Sequence, residues 1–174
     1  LKQGHGYTAG MTKIHQLSDE LNSQIAAGEV LERPASAIKE LVENSLDAGA
    51  SQISVEVEEG GLNKLRVVDN GLGLAFDDAP LAFSRHATSK LTRMEDLFNI
   101  QSLGFRGEAL ASIASIAEVE LLSRETGCRT GVRYAMDGGK LIAHESTSCP
   151  EGTDITIRGL FKHTPARRKY MKSE

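Results

Sequence analysis

The chain is poor in the features that mark several classes of protein. It carries two cysteines in 174 residues, Cys128 and Cys149, and they form no CxxC. Neither a disulfide framework nor a cysteine metal site is expected, and both read as reduced or partly buried thiols. Its five histidines show no HExxH or other paired ligand spacing, so no zinc site is expected. No apolar run approaches the roughly 20 residues of a membrane span. The first residues lack the basic-then-apolar layout of a signal peptide. The expected location is therefore cytoplasmic, with no membrane partner. Neither a Walker A string nor GxGxxG occurs, which disfavours a P-loop or Rossmann nucleotide site. A basic balance is missing too: the net charge is −4, which argues against a broad positive surface gripping nucleic acid. The dense basic cluster, Arg167-Arg168-Lys169, reads either as a solvated helix turn or as part of a DNA-facing surface in a longer protein. No internal repeat is visible.

What is present is ordinary in amount. Hydrophobic residues make up 40% and charged residues 25%, as in a soluble globular domain, and the length is enough for one substantial core. Leu1–Gly10 is Gly-rich, polar and aperiodic; it reads as an appended or disordered leader without function, with one domain expected over 11–174. Ser18 can cap a helix that ends near Gly28. Pro34 suits the first turn of a second helix, and Gly49 its exit. Ile53, Val55 and Val57 alternate with polar residues, Gly60-Gly61 turns the chain, and Asn63–Val68 returns as a strand. A short helix is expected over Asp77–Phe83. The stretch 84–107 has little periodicity and much Ser, Thr and Gly, as functional loops and lids do. Glu108–Ile116 reads as a helix. Strands follow near Val119–Ser123, Gly131–Met136, Lys140–Glu145 and Thr153–Arg158, with a tight turn at Gly138-Gly139. A last helix starts at Thr164-Pro165. Hairpin-paired strands with grouped helices indicate an α+β fold rather than a doubly wound parallel sheet.

The most informative stretch is Glu40-Leu-Val-Glu43-Asn44-Ser-Leu-Asp47-Ala48. As a helix it gathers Glu40, Glu43, Asn44 and Asp47 within an arc of roughly 100°, with Ile38, Leu41, Val42 and Leu46 on the side where a core is expected. The polar stripe holds no lysine or arginine. Glu40–Glu43 and Glu43–Asp47 are like-charge neighbours, each costing about 0.2–0.5 kcal/mol. A cation, or a ligand bringing one, would relieve that repulsion; alone, the helix is equally readable as a solvated acidic face. Further along come Asp69-Asn70-Gly71-Leu72-Gly73 at a strand end, then Gly104-Phe105-Arg106-Gly107-Glu108-Ala109-Leu110 opening a helix, then Gly152-Thr153 before a strand.

In this order the pieces resemble the ATP-binding site of the GHKL superfamily (gyrase, Hsp90, histidine kinase and MutL). Longer strings narrow the resemblance to the MutL family of DNA mismatch repair proteins. They are Gln24-Ile-Ala-Ala-Gly-Glu-Val, Arg33-Pro-Ala-Ser, Glu40 to Ala50, Arg85-His-Ala-Thr-Ser-Lys90, Leu103 to Ser112 and Thr164-Pro-Ala-Arg-Arg-Lys169. They run from about Ile14 to Met171. The resemblance implies a two-layer sandwich, a mixed and mostly antiparallel sheet with helices on one face and ATP between the layers.

It also implies roles. Glu40 is the general base that orients and deprotonates a water, and Asn44 offers a neutral oxygen to Mg2+, which takes few protein ligands. Glu43 and Asp47 either line the site or brace its loops. Asp69 accepts from the adenine amino group, Gly71 and Gly73 let the backbone come close, and Thr153 supports Asp69 directly or through water. Gly104, Phe105, Arg106, Gly107, Glu108, Ala109 and Leu110 cradle the phosphates at a helix N-terminus. Thr88, Ser89 and Lys90 match a second phosphate-side segment, where Lys90 either pairs with phosphate or stays solvated. The implied cofactors are ATP and Mg2+. The implied partners in a full protein are a second copy or a paralogue, a MutS-like mismatch sensor, a nuclease, a helicase and, non-specifically, DNA. ATP would order the lid and drive N-terminal dimerisation, in a nucleoid-associated or nuclear setting according to the source.

Two departures stand out. Lys162-His163 occupies a corner where the family often has Tyr-Asn, and MutL proteins continue into a second domain that supplies a lysine to the γ-phosphate. A complete nucleotide pocket with an incomplete catalytic set is therefore expected. The alternatives are a binding module with negligible turnover alone, or another GHKL ATPase of gyrase-like or Hsp90-like type.

Overall fold

Residues 18, 25, 27, 31–84 and 109–171 are described by a computed structural model of the chain. The first helix read from sequence is represented by Ile25 and Ala27, both helical, with Ala27 buried. The expected lid, beyond Ser84, lies outside the described residues.

Period-two alternation produces the strands. Helix α1 (Pro34–Asp47) leads to β1 (Ile53–Glu58), a 3-10 turn and β2 (Lys64–Asp69). A second 3-10 turn precedes the short α2 (Ala79–Ala82). After the undescribed segment come α3 (Ala109–Ile116), β3 (Glu118–Arg124), β4 (Gly131–Asp137), β5 (Lys140–Thr147), β6 (Gly152–Arg158) and α4 (Pro165–Met171). Among the described residues the strands form one six-stranded sheet in the order β1-β2-β6-β3-β4-β5, with every pairing antiparallel. This is the α+β arrangement expected from the sequence.

Register aligns the core-facing residues into rows. Leu65, Ile157 and Val119 lie opposite one another across β2, β6 and β3, and so do Val67, Ile155 and Leu121. These residues are buried together with Ala37 and Leu41 of α1 and Ile113, Ala114 and Ile116 of α3. Each large apolar side chain so covered contributes about 1.5–3 kcal/mol relative to exposure. Helix α3 is apolar nearly all round, as a helix enclosed on most sides must be.

The other face of the sheet is covered by charge. Arg66 reaches Asp154 through two nitrogens and Glu56 through a third; Lys64 joins Glu56 and Glu58, and Arg133 bridges Glu120 and Glu145. Pairs this exposed are worth at most about 1 kcal/mol each. They keep the face wet and in register, while the helices supply the burial.

Helix α1 has defined ends. Pro34 occupies its first turn, where a missing N–H costs nothing. At the other end Gly49 N donates to Leu46 O and Ala50 N to Ser45 O, with Gly49 at φ +72°. That is a Schellman closure, and it needs the left-handed residue.

The Lys162-His163 departure has a structural role. Asp137, at the end of β4, accepts from Lys162 Nζ at 2.9 Å and pairs with His163 Nε2 at 2.7 Å. Glu118 lies 3.5 Å from the same lysine. Partial burial pushes the Asp137 carboxyl up, but the hydrogen bonds from Lys162 and His163 outweigh it and hold the group below the usual carboxylate range. Its folded pKa is thus lower than its unfolded one, so its stabilisation is complete above the unfolded value of about 4 and is lost as pH falls through the folded value. Asp137→Asn is expected to lower the urea midpoint at pH 7, with the deficit shrinking steadily below about pH 4. An equal deficit at pH 7 and pH 3 would show that the charge of Asp137 is not what matters.

Candidate functional site

The site begins where the apolar rows stop. One step beyond Val67, Ile155 and Leu121, the same face of the same strands carries Asp69, Thr153 and Ser123, again directly opposite one another. A polar row at this end of the sheet is costly under a helix unless each group is bonded. Asp69 Oδ2 accepts from Ser45 Oγ of α1 at 2.7 Å, and Oδ1 accepts from the backbone N of Gly71 at 2.9 Å. Ser123, fully buried, accepts from Leu74 N at 2.9 Å and donates to Gly152 O at 2.9 Å. The Thr153 hydroxyl lies 3.0 Å from that of Ser123. Among the described residues this is its hydrogen bond, so it neighbours Asp69 across the strands without bonding to it directly.

The loop after Asp69 leaves no room for a side chain at Gly71 or Gly73. A Cβ on Gly71 would lie 2.8 Å from the carbonyl oxygen of Ala48, at the exit of α1. Gly73 has φ +72°, and its missing Cβ would run into the carbonyl of Arg124. Asn70 fastens the loop from the other side: its Oδ1 accepts from Ser51 N and Gln52 N, both at 2.9 Å. Loop, helix exit and strand ends therefore form one braced unit around the Asp69 carboxylate.

Helix α1 buries Ala37, Leu41 and Ser45. Of the apolar side read from the sequence, Ile38 and Val42 are partly buried and pack against the core beside Leu41, but Leu46 is 50% exposed. The small side chains of Ala37 and Ser45 flank Leu41 where the helix meets the sheet. The acidic face then borders the buried stripe directly. Glu40 and Asn44 are partly buried, one turn apart on the side next to Ser45. Among the described residues Glu40 has no hydrogen-bond or ion-pair partner. Glu43 differs: Lys39, from the adjacent face, approaches it at 3.5 Å, so a lysine does temper the acidic stripe. Asp47 is exposed at the helix end.

Thr88, Ser89, Lys90, Gly104, Phe105, Arg106, Gly107 and Glu108 lie outside the described residues. Ala109 and Leu110 stand in the first described turn of α3, with Leu110 buried. Among the described residues no group of three His, Cys, Asp or Glu side chains could hold a metal by itself. The donor set nevertheless suits a Mg2+ that brings its own phosphate oxygens, because that ion takes only one or two protein oxygens, and Asn44 offers one beside a carboxylate.

Sequence reasoning missed Ser45 and Ser123. Each is a lone serine at a position where its element's apolar pattern predicts a hydrophobic residue, and that mismatch was the available signal.

The family model described as histidine kinase-, DNA gyrase B- and HSP90-like ATPase matches residues 32–160. The chain belongs to this ATPase family. Within the family, its sequence is similar to those of MutL proteins. It is 60% identical over 162 residues to the DNA mismatch repair protein MutL of Leuconostoc citreum, covering 93% of this chain and 24% of that protein. It is 56% identical over 163 residues to MutL of a Geobacillus species, covering 94% and 26%. The chain thus spans about a quarter of these relatives' length. Among solved structures, this ATPase-family chain is similar to the N-terminal domain of a DNA repair protein, at TM-score 0.72 and 32% identity over 87% of this chain and 43% of that one. It is also similar to the Aquifex aeolicus MutL ATPase domain complexed with ADP, at TM-score 0.60 and 32% identity over 81% and 48%.

The bracing of the loop can be separated from simple backbone strain. Gly73 and Gly139 both have left-handed φ, but only Gly73 is packed against backbone. Gly139→Ala is expected to cost about 1–2 kcal/mol, and Gly73→Ala a further 1–3 kcal/mol, roughly, from overpacking. Chemical denaturation followed by circular dichroism measures both, and equal losses would remove the packing argument.

Proposed function

We propose that this chain is the nucleotide-binding part of a MutL-type DNA mismatch repair protein, which binds ATP with Mg2+ and hydrolyses it within the longer protein. The observation that carries the reading is the Ser45–Asp69 hydrogen bond. It ties the strand-end carboxylate to the helix that bears Glu40 and Asn44, so a base-recognising acceptor and a hydrolytic face share one wall. Membership of the ATPase family and similarity to a MutL ATPase domain complexed with ADP support it.

In this reading Asp69 accepts from the amino group of adenine, and Gly71 and Gly73 let the loop lie against the base. Thr153 supports that end of the pocket. Asn44 holds Mg2+, which when bound neutralises phosphate charge. Glu40 orients and deprotonates the attacking water, a role suited to a partly buried carboxylate on a rigid helix with no competing partner among the described residues. Glu43 and Asp47 brace this face. Thr88, Ser89, Lys90 and residues 104–110 take the phosphates. The longer protein would use ATP to order the 84–107 segment and to pair N-terminal domains, relaying mismatch recognition from a MutS-like sensor to nuclease and helicase on DNA.

A second reading has a specific basis. The chain covers less than half of each of the two solved chains compared with it, so in isolation it would bind nucleotide with negligible turnover. Turnover separates the two: robust hydrolysis by these 174 residues alone that Glu40→Ala removes would reject the second reading. Calorimetry with a non-hydrolysable ATP analogue should show binding by this chain that magnesium strengthens and Asp69→Asn abolishes. No binding by the folded wild type would reject the nucleotide reading. In the longer protein Glu40→Ala should lower kcat by at least about 100-fold while leaving analogue binding within about threefold. Turnover that survives the change would remove Glu40 from the role of base.

A further inference from the structure

Ser123 is fully buried, yet it faces the core side of β3 where Val119 and Leu121 precede it. Its three contacts determine more than its own position. A hydroxyl has one proton to give and two lone pairs with which to accept. The carbonyl of Gly152 can only accept, so its 2.9 Å contact takes the Ser123 proton. The N–H of Leu74 can only donate, and at 2.9 Å it fills one lone pair. One lone pair is left for Thr153. In the 3.0 Å contact between the two hydroxyls, Thr153 must therefore be the donor. Its single proton is committed to Ser123, and its Oγ1 offers only lone pairs to whatever lies above the sheet.

Asp69, its cross-strand neighbour, is in the same condition. An ionised carboxylate only accepts. Ser45 and Gly71 each occupy one position on its two oxygens, and further lone pairs remain. The two side chains are not within hydrogen-bond geometry of each other, so no direct Thr153–Asp69 bond competes for these lone pairs. What satisfies both is a donor from above: an amino group, or a water that gives a proton to each.

We propose that Ser123 is a specificity-determining positioning residue, which fixes the Thr153 hydroxyl as an acceptor beside Asp69. The floor of the pocket then selects a base edge bearing an amino group and disfavours one presenting a carbonyl. The proposal rests on the nucleotide reading above and adds the direction of one proton to it. Without Ser123 the Thr153 hydroxyl is free to turn its proton toward whatever lies above the sheet, and the floor loses a fixed acceptor.

The test compares affinities for ADP and inosine diphosphate, which differ at C6 (amino against carbonyl) and in the proton that inosine carries on N1, by calorimetry on the 174-residue chain. Wild type should prefer ADP, and Ser123→Ala should cut that preference about tenfold, the worth of one well-placed hydrogen bond. Thr153→Val should cut it similarly, and adding Ser123→Ala to Thr153→Val should change it no further, because Ser123 acts through Thr153. A merely structural serine would weaken both ligands equally, and that result, or an unchanged preference in the folded variant, overturns the proposal. If Ser123→Ala does not fold, Thr153→Val alone decides: an unchanged preference there overturns it too. Wild-type chain that binds neither diphosphate rejects the nucleotide reading itself, a failure distinguishable from the others and fatal to this proposal as well.

Discussion

The structure turns on holding one carboxylate at the end of an otherwise apolar sheet face. Asp69 would be expensive there without partners. Its two oxygens are bound by a helix hydroxyl and a loop N–H, and each of those donors needs something to hold it. Ser45 is placed by the closed C-terminus of α1. Gly71 is placed by contact with Ala48, and Asn70 by the loop leaving the helix. Leu74, at the far end of the same loop, is tied to β3 through Ser123. The glycines follow from this bracing: only a residue without a Cβ fits where loop, helix exit and β3 backbone meet.

Most of the architecture was legible in the sequence because it is periodic. Ile53-Val55-Val57 and Val119-Leu121 alternate, Pro34 and Gly49 bound α1, and Gly138-Gly139 turns a hairpin. What was hidden depends on register. Periodicity gives a helix an apolar direction, but which edge of that face meets the sheet depends on packing: Ala37 and Ser45 are buried beside Leu41 while Leu46 is exposed. The salt bridge from Lys39 to Glu43 crosses from one helix face to the next, so a stripe defined by angle alone omitted it. Ser45 and Ser123 become informative only when β2, β6 and β3 are laid side by side. Each of those strands trades an apolar residue for a polar one at the same end, giving Asp69, Thr153 and Ser123.

The two faces of the sheet divide the labour. One carries rows of buried aliphatic side chains that end in the polar row, so the hydrophobic layer leads directly to the candidate pocket. The other carries alternating charges, from Lys64 and Arg66 to Arg133 and Glu145, which blunt it against association. The Asp137 cluster sits at the end opposite Asp69 and stitches the β4–β5 turn to the segment before α4. A difference from the family pattern at Lys162-His163 is thus absorbed at the end of the sheet away from the Asp69 row.

The strand order also has a consequence for how the molecule comes into being. The sixth strand in sequence lies between the second and the third. Until it arrives, β2 and β3 have no strand between them to pair with, and the Asp69–Thr153–Ser123 row has no middle. Such long-range closure raises contact order and slows folding. During synthesis the two halves must wait, each with an unpaired edge, for a segment that emerges near the end of the described chain. Assembly of the pocket and completion of the sheet are then one event.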